Sequence, residues 1–396
     1  MKSLNATAQS LRKANKAYIS TPIVVSAESY KTLSVKIAFL TVSIVLFGIV
    51  MIYSASSYGA EKNFGDAFYY VKKQAIALLL GGAAMFGMSR LSTSVLKKLR
   101  YVVLAISFAI LAVIFIPGLG VESYGARRWI NLGFITIQPS EIAKFGYVIF
   151  AASYISQHGV KRFRDLFCLG GVGLGMCLLI MLEPNMSITM CLLCVILFML
   201  SVGGIEIKKL LLLGLPIVVA IPVLIVMEPY RLKRLMAFLD PWASPKAEGY
   251  QLIQSYYALC RGGLFGVGLF QSRQKYLFLP FAESDFIFSV IGEELGLFGA
   301  IAVMAAFAML VYYGFLTAAR SKDRFNALLA SGITSVIAVQ TALNLAVVTG
   351  CIPPTGLPLP FISAGGSSLV SFMSAIGVLL SVNREGGKSC LGSHRM

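Results

Sequence analysis

Apolar stretches long enough to cross a bilayer recur along this chain, and they constrain its fold more than any other feature. A helix needs about 20 apolar residues to span roughly 30 Å of hydrocarbon. Ten such stretches are predicted, at 33–53, 70–89, 99–117, 141–157, 166–183, 187–203, 209–227, 296–318, 326–349 and 366–383. With 57% hydrophobic and 13% charged residues, and a mean hydropathy of +0.80, a soluble fold of this length has no interior large enough to hide that surface. Inside lipid every backbone polar group needs a partner within the segment, so the spans are helices. The expected fold class is an all-α polytopic membrane protein, a bundle of about ten transmembrane helices. One membrane domain covers 33–383, with a large extracytoplasmic loop (228–284) between spans 7 and 8. A flexible basic tail (1–32) precedes it and a short tail (384–396) follows.

The net charge of +17 invites a nucleic-acid reading, which its placement excludes. Base collects in alternate short turns: Arg90, Lys97, Lys98 and Arg100; Lys161, Arg162 and Arg164; Lys208 and Lys209; Arg320, Lys322 and Arg324. Lysine and arginine retained on one side set orientation, and they also meet anionic lipid heads. The N-terminal tail has no short apolar core with a small-residue cleavage site. Both termini are therefore expected in the cytoplasm.

Two outside loops break this pattern. One is 118–140; the other is 228–284, with Arg231, Lys233, Arg234, Lys246, Arg261, Arg273 and Lys275. Long loops constrain orientation weakly, so this base either is tolerated or has a task of its own. Within the large loop, 238–242 suits the membrane interface, and Tyr250–Leu259 forms an amphipathic helix on or in the bilayer surface. The glycines at 262, 263, 266 and 268 permit tight turns or close backbone contact. Residues 350–368, GCIPPTGLPLPFISAGGSS, read as a re-entrant cap near the outer face, because irregular backbone at membrane depth needs protein or a wet cavity around it.

Acid is scarce, with 17 Asp and Glu, yet Asp285, Glu293 and Glu294 fall within ten positions where the large loop meets an apolar helix. A carboxylate beside hydrocarbon is costly unless paired or functional. From Asp285 to Ala319 the pattern is continuously helical, roughly 50 Å at about 1.5 Å per residue. That exceeds one span, so the span proper should begin near Gly296 and leave Asp285 at the outer surface. On such a helix Asp285 shares a face with Phe288, Ser289, Gly292 and Gly296, while Glu293 and Glu294 point elsewhere and brace the loop. The cysteines Cys191 and Cys194 form a CxxC inside a span, which reads as small buried apolar residues. The histidines His158 and His394 lie in loop and tail, so no histidine-based metal site is expected and no metal ligand is assigned.

An outward acid, outside base and an apolar bundle suggest an anionic lipid-linked substrate: Arg and Lys hold phosphates, and the acid deprotonates a hydroxyl. No nucleotide-binding loop is present. Secondary transport is the rival class; Glu183 at one span end, and Glu141 and Lys144 opening another, are compatible with it but do not demand it. A scaffold with structural acids is the third.

Several motifs are more specific. GARRWINLGFITIQPSEIAK (125–144), FLDPW (238–242), GYQLIQS (249–255), GGLFGVGL (262–269), QKYLFLP (274–280), SDFIFSVIGEELGLFG (284–299) and NLAVVTGCIPPTGLPLPFISAGGSSL (344–369) resemble the SEDS family of shape, elongation, division and sporulation proteins. The match runs from about residue 35 through nearly the whole chain, and RRWINLG and IGEELG are most similar to its division members. The resemblance implies a peptidoglycan glycosyltransferase that polymerises lipid II outside the cytoplasmic membrane, with undecaprenyl pyrophosphate leaving. It implies a class B penicillin-binding protein as crosslinking partner, with other divisome proteins, at the septum of the bacterial inner membrane. It places the catalytic acid at Asp285 and substrate contacts at Trp129, Arg127 and Arg128; read from the residues themselves, Lys275 joins the substrate contacts, and Glu283, Glu293 and Glu294 are supporting acids. A divalent cation (Mg or Mn) at the pyrophosphate is compatible with it, although nothing in the spacing shows one.

The chain departs from the family's patterns. LPEAHTDF has become LPFAESDF, so Phe281, Glu283 and Ser284 are changed. Glu283, two residues before Asp285, is expected to raise the Asp285 pKa by like-charge repulsion. EPDxG has become EPNMS, with Asn185 in place of an acid, and GVGLG ends in Phe270. Lipid II flipping and a non-catalytic divisome scaffold remain the alternatives within the family.

Overall fold

The computed structural model describes residues 27–116, 120–123, 126–131, 136–160, 163–206, 208–212, 214–215, 226 and 229–393. Helices dominate. They are α1 (Ala27–Phe64), α2 (Tyr69–Arg90), α3 (Thr93–Lys98), α4 (Arg100–Val113), α5 (Pro139–His158), α6 (Phe163–Leu182), α7 (Met186–Val202), α8 (Pro229–Leu239), α9 (Tyr250–Gly262), α10 (Ile287–Arg320), α11 (Arg324–Val348) and α12 (Gly366–Ser393). Among them α1, α6, α10, α11 and α12 are long and apolar enough to cross a membrane, and α4 and α7 are shorter apolar helices. Nine of the ten predicted spans fall on described helices. The span expected at 209–227 lies almost wholly outside the described residues.

The packing explains which helices are interior. α11 lies against α5, α7 and α10, and 67% of its most apolar window is buried. α12 packs on α1 and α2 and is 72% buried over its window. α10 is only 28% buried there, so its apolar surface faces outward, where lipid would cover it. Inside the bundle Lys144 and Glu141 pair at 3.1 Å with no exposed surface, and the Lys144 ammonium also donates to Gln340 Oε1.

Both ends of the domain run past their expected limits. α1 begins at Ala27, inside the stretch expected to be tail. The Tyr30 hydroxyl donates to the Arg320 carbonyl at 2.6 Å, and Arg320 donates to Ser29 Oγ at 2.9 Å. At the other end α12 continues through 384–393 instead of ending in a tail. Its Glu385 accepts from Ser92 Oγ, Thr93 N and Asn326 Nδ2, which ties that turn to α3 and α11.

Three features between the apolar helices refine or correct the expectations. Residues 120–137 hold a small antiparallel sheet of β1 (Gly120–Ser123), β2 (Ala126–Asn131) and β3 (Thr136–Ile137), a non-helical element in an otherwise helical chain. The helix at 250–262 does form, but it packs on α10 through buried Leu252, Ile253, Ser255 and Ala258 and so is held by protein. Finally, α10 starts at Ile287, so Asp285 precedes the helix and does not lie on its face.

α10 is broken at Gly296 (φ 68°, ψ −166°), where the span was expected to begin. The glycine-rich segment zips onto this break. Val267 N and Gly268 N donate to the carbonyls of Glu293 and Glu294, and Leu297 N and Phe298 N donate to those of Gly263 and Leu264. A Cβ on Gly266 (φ +81°) would stand 2.1 Å from the Glu294 carbonyl oxygen. The Gly266→Ala variant combines that clash with a left-handed backbone, and should lose at least about 2 kcal/mol. Thermal unfolding in detergent should show a lowered Tm, and an unchanged Tm would mean the zipper yields at no cost.

Candidate active site

Asp285 lies in the turn that leads from the long loop after α9 into α10. Phe281 has a left-handed backbone (φ 56°), and its carbonyl accepts from Ser284 N at 3.1 Å and Phe286 N at 3.3 Å. The turn carries the chain directly into α10 and sets Asp285 just before the helix. The 350–365 segment covers it from the other side, with Ala364 N donating to the Glu283 carbonyl at 2.9 Å and Ser363 Oγ to the Ser284 carbonyl at 2.6 Å. Gly356 (φ +74°) lies against the carboxylate, since a Cβ there would stand 3.2 Å from Asp285 Oδ2. The residue is half-buried.

Burial pushes the Asp285 carboxyl up to about 6, with like-charge repulsion from Glu283 adding to the rise. The Arg234 guanidinium, and more weakly Arg128, pull it back down, as does the Ser284 hydrogen bond. Glu283 is itself raised, mainly by burial, and the Tyr70 hydroxyl bond relieves part of that. The expected repulsion between the two acids is therefore present, but enclosure is the larger effect. Sequence reasoning did not single out Arg234. Its only early signal was base on the wrong side of the membrane, shared with six other residues of the loop.

Arg234 connects three features. Its Nη1 donates to the Pro354 carbonyl at 3.1 Å. It lines a cavity of about 200 Å³ with Glu248, Tyr250, Gln251, Pro280 and Pro354. It also acts electrostatically on Asp285. Arg128, on β2, also acts electrostatically on Asp285 and is anchored by the turn after α6, donating to the carbonyls of Glu183 (3.3 Å) and Pro184 (2.5 Å). Asn185, in that turn, caps α7 by accepting from Ile188 N at 3.3 Å. An amide there serves the helix N-terminus without adding charge.

The other expected residues divide. Arg127 is exposed and neighbours Arg128 on β2, where successive side chains face opposite ways. Trp129 is half-buried and pairs with Val121 across the sheet. Lys275 is buried, and its ammonium donates to the Phe270 carbonyl within its own loop. Glu293 and Glu294 are wholly buried two turns into α10. Glu293 accepts from Ser272 Oγ, Arg273 N (3.0 Å) and Gln274 N (3.4 Å), and lies 3.6 Å from Arg261. Glu294 accepts from Ser272 N at 3.2 Å and from Ser54 Oγ on α1. These two acids hold the loop that leads to Asp285.

Comparison with known proteins gives this arrangement a family. The FtsW/RodA/SpoVE cell cycle protein model matches residues 35–388. The chain belongs to this family. Among curated FtsW/RodA/SpoVE relatives, stage V sporulation protein E of Bacillus subtilis is 37% identical over 351 residues, covering 88% of this chain and 96% of that protein. A probable peptidoglycan glycosyltransferase FtsW of Geobacter metallireducens is 40% identical over 353 residues, covering 88% and 93%. Among solved structures, a chain of a peptidoglycan synthase complex that coordinates polymerization and crosslinking matches with a TM-score of 0.75 at 29% identity, covering 88% of this chain and 97% of that one. Where the family pattern carries a glycine, this member has Phe270, and the backbone there still takes φ 64°.

The buried Glu293 network carries a stability test. Glu293→Ala removes the acceptor of three hydrogen bonds and leaves buried donors unpaired, so it should cost about 3 kcal/mol. The lowered Tm should come with protease cleavage within 262–275. Wild-type stability would show that the loop is held by other contacts.

Proposed function

We propose that this chain polymerises lipid II into glycan strands at the outer face of the bacterial cytoplasmic membrane during division. The observation that carries the reading is the setting of Asp285: a carboxyl raised to about 6 by enclosure and opposed electrostatically by Arg234 and Arg128, with Arg234 also lining a nearby cavity. A carboxylate with that affinity for protons is largely ionised at neutral pH and still basic enough to take a proton from a hydroxyl in the transition state. The sugar hydroxyl of the acceptor loses its proton to Asp285. Its oxygen bonds to the anomeric carbon of the donor sugar, and the bond from that carbon to undecaprenyl pyrophosphate breaks, the pyrophosphate leaving with the electron pair. Arg128 and Arg234 are placed to bind the anionic diphosphate by charge-assisted hydrogen bonds.

Among the described residues no three His, Cys, Asp or Glu side chains gather to hold a metal. A magnesium ion carried in on a diphosphate is held largely by the phosphates and by water, which leaves Asp285 free to act as the base. Bound there, it would neutralise charge on the leaving pyrophosphate.

The relatives' names support glycosyl transfer in division or sporulation, and the synthase-complex neighbour supports a partner that crosslinks the strands. In this reading the partner is a class B penicillin-binding protein, both termini are cytoplasmic, and the complex works at the septum with other divisome proteins. Lipid II flipping has one observation in its favour, the buried Lys144–Glu141 pair within the bundle. Acids inside a span are common in carriers. That pair is matched in charge, however, and Asp285 lies outside the spans.

The test is lipid II polymerisation by the chain in complex with its cognate partner, the partner's transpeptidase serine being blocked. Asp285→Asn should reduce the rate by about 10²–10⁴-fold, with membrane abundance and complex formation unchanged. Polymerisation at the wild-type rate would move catalysis elsewhere. If neither protein polymerises but vesicles containing wild type pass lipid II across the bilayer, the carrier reading replaces this one.

A further inference from the structure

Three successive carbonyls, of Glu283, Ser284 and Asp285, each accept a hydrogen bond from residues far along the chain. Two of these donors come from the covering segment itself, Ala364 N and Ser363 Oγ. The third differs in origin. Asn344, on the interior helix α11 and 1% exposed, donates from Nδ2 to the Asp285 carbonyl at 2.9 Å and from the same nitrogen to the Leu357 carbonyl at 2.7 Å.

An amide nitrogen carries two hydrogens in fixed planar geometry, so its two acceptors are held at a fixed separation and angle. Here those acceptors belong to the peptide of Asp285 and to the residue following Gly356, whose Cα lies beside the carboxylate. The amide therefore fixes the acid's backbone relative to its cover. One turn earlier on α11, Gln340 Nε2 donates to the Pro358 carbonyl at 3.0 Å, and its oxygen accepts from buried Lys144. The two amides make α11 a rigid rail under the 357–358 backbone.

We propose that Asn344 is a positioning residue for glycosyl transfer, its amide locking the Asp285 peptide to the Gly356–Pro358 backbone so that the carboxylate stays enclosed and aimed at the acceptor. This rests on the reading of Asp285 as the base. Without the lock the turn loosens and water reaches the carboxylate. The charged groups acting on Asp285 are Arg234 from α8, Arg128 from β2 and Glu283 from its own turn, and all three remain when Asn344 is changed. A shift in its titration would then report the loss of enclosure.

The experiment compares wild type, Asn344→Leu and Asp285→Ala in the polymerisation assay, as complexes with the blocked partner, across pH. Leucine keeps the branched side-chain skeleton and removes both donors. The expected result for Asn344→Leu is a kcat lower by about 10–100-fold, a KM within about threefold of wild type, and an acid limb displaced downward by about one pH unit. A residue that only stabilised the fold would lower the active fraction and leave the acid limb in place, and that outcome overturns the proposal, as does an unchanged kcat. If Asn344→Leu does not accumulate in the membrane, Asn344→Ser, whose single hydroxyl cannot bridge both carbonyls, carries the same expectations. Asp285→Ala separates the two levels. If it polymerises normally, the base assignment fails and Asn344's role falls with it. If it is inactive while Asn344→Leu keeps the wild-type rate and acid limb, only the role of Asn344 is overturned.

Discussion

Irregular backbone near hydrocarbon must find hydrogen-bond partners in the protein, and this molecule meets that constraint by bonding its irregular segments to one another and to the helices. The 263–268 segment takes the carbonyls and amides freed by the break at Gly296. The proline-rich 350–365 segment takes the carbonyls of the turn before α10. Each unmade bond of this kind would cost several kcal/mol in lipid, so the pairing is obligatory. It also fixes where Asp285 can be. The acid follows a loop pinned by Glu293 and Glu294 and lies under a segment pinned by α11.

The same enclosure shapes the chemistry. Enclosing a carboxylate raises its pKa, and two arginines oppose the rise. Stronger enclosure would leave the acid protonated and useless as a base; stronger pairing would leave it too weak a base. The balance near 6 suits proton abstraction at neutral pH. Glu283, absent from the family's usual pattern, adds to the rise, so this member reaches the balance with a local charge set of its own.

Much of this was legible in the sequence, for physical reasons. Apolar length and alternate basic turns gave nine helices where they occur, because hydrophobic span length is a strong signal. The expected start of the span near Gly296 coincides with the break in α10, although the pattern read as continuous helix and the break itself was not legible. Three further things were not legible. The sheet at 120–137 is short and depends on pairing between its strands. The helical turns at 27–32 and 384–393 are held by tertiary contacts such as those of Tyr30 and Glu385. Arg234 and Asn344 meet Asp285 only in three dimensions, across roughly fifty to sixty residues, and neither has a local pattern that separates it from its neighbours. Lys275 shows the converse: a loop lysine beside the key motif whose ammonium bonds within its own loop.

The most direct measurement is an infrared titration of the protonated carboxyl band in the complex, comparing wild type with Asp285→Asn, alongside the wild-type rate of lipid II polymerisation over the same pH range. The account predicts that the difference between wild type and variant contains a carboxyl titrating at about pH 6, with the rate rising through the same midpoint. A carboxyl at Asp285 that titrates in the ordinary aspartate range, or a rate that rises at a pH unrelated to its titration, would contradict the assignment of Asp285 as the base.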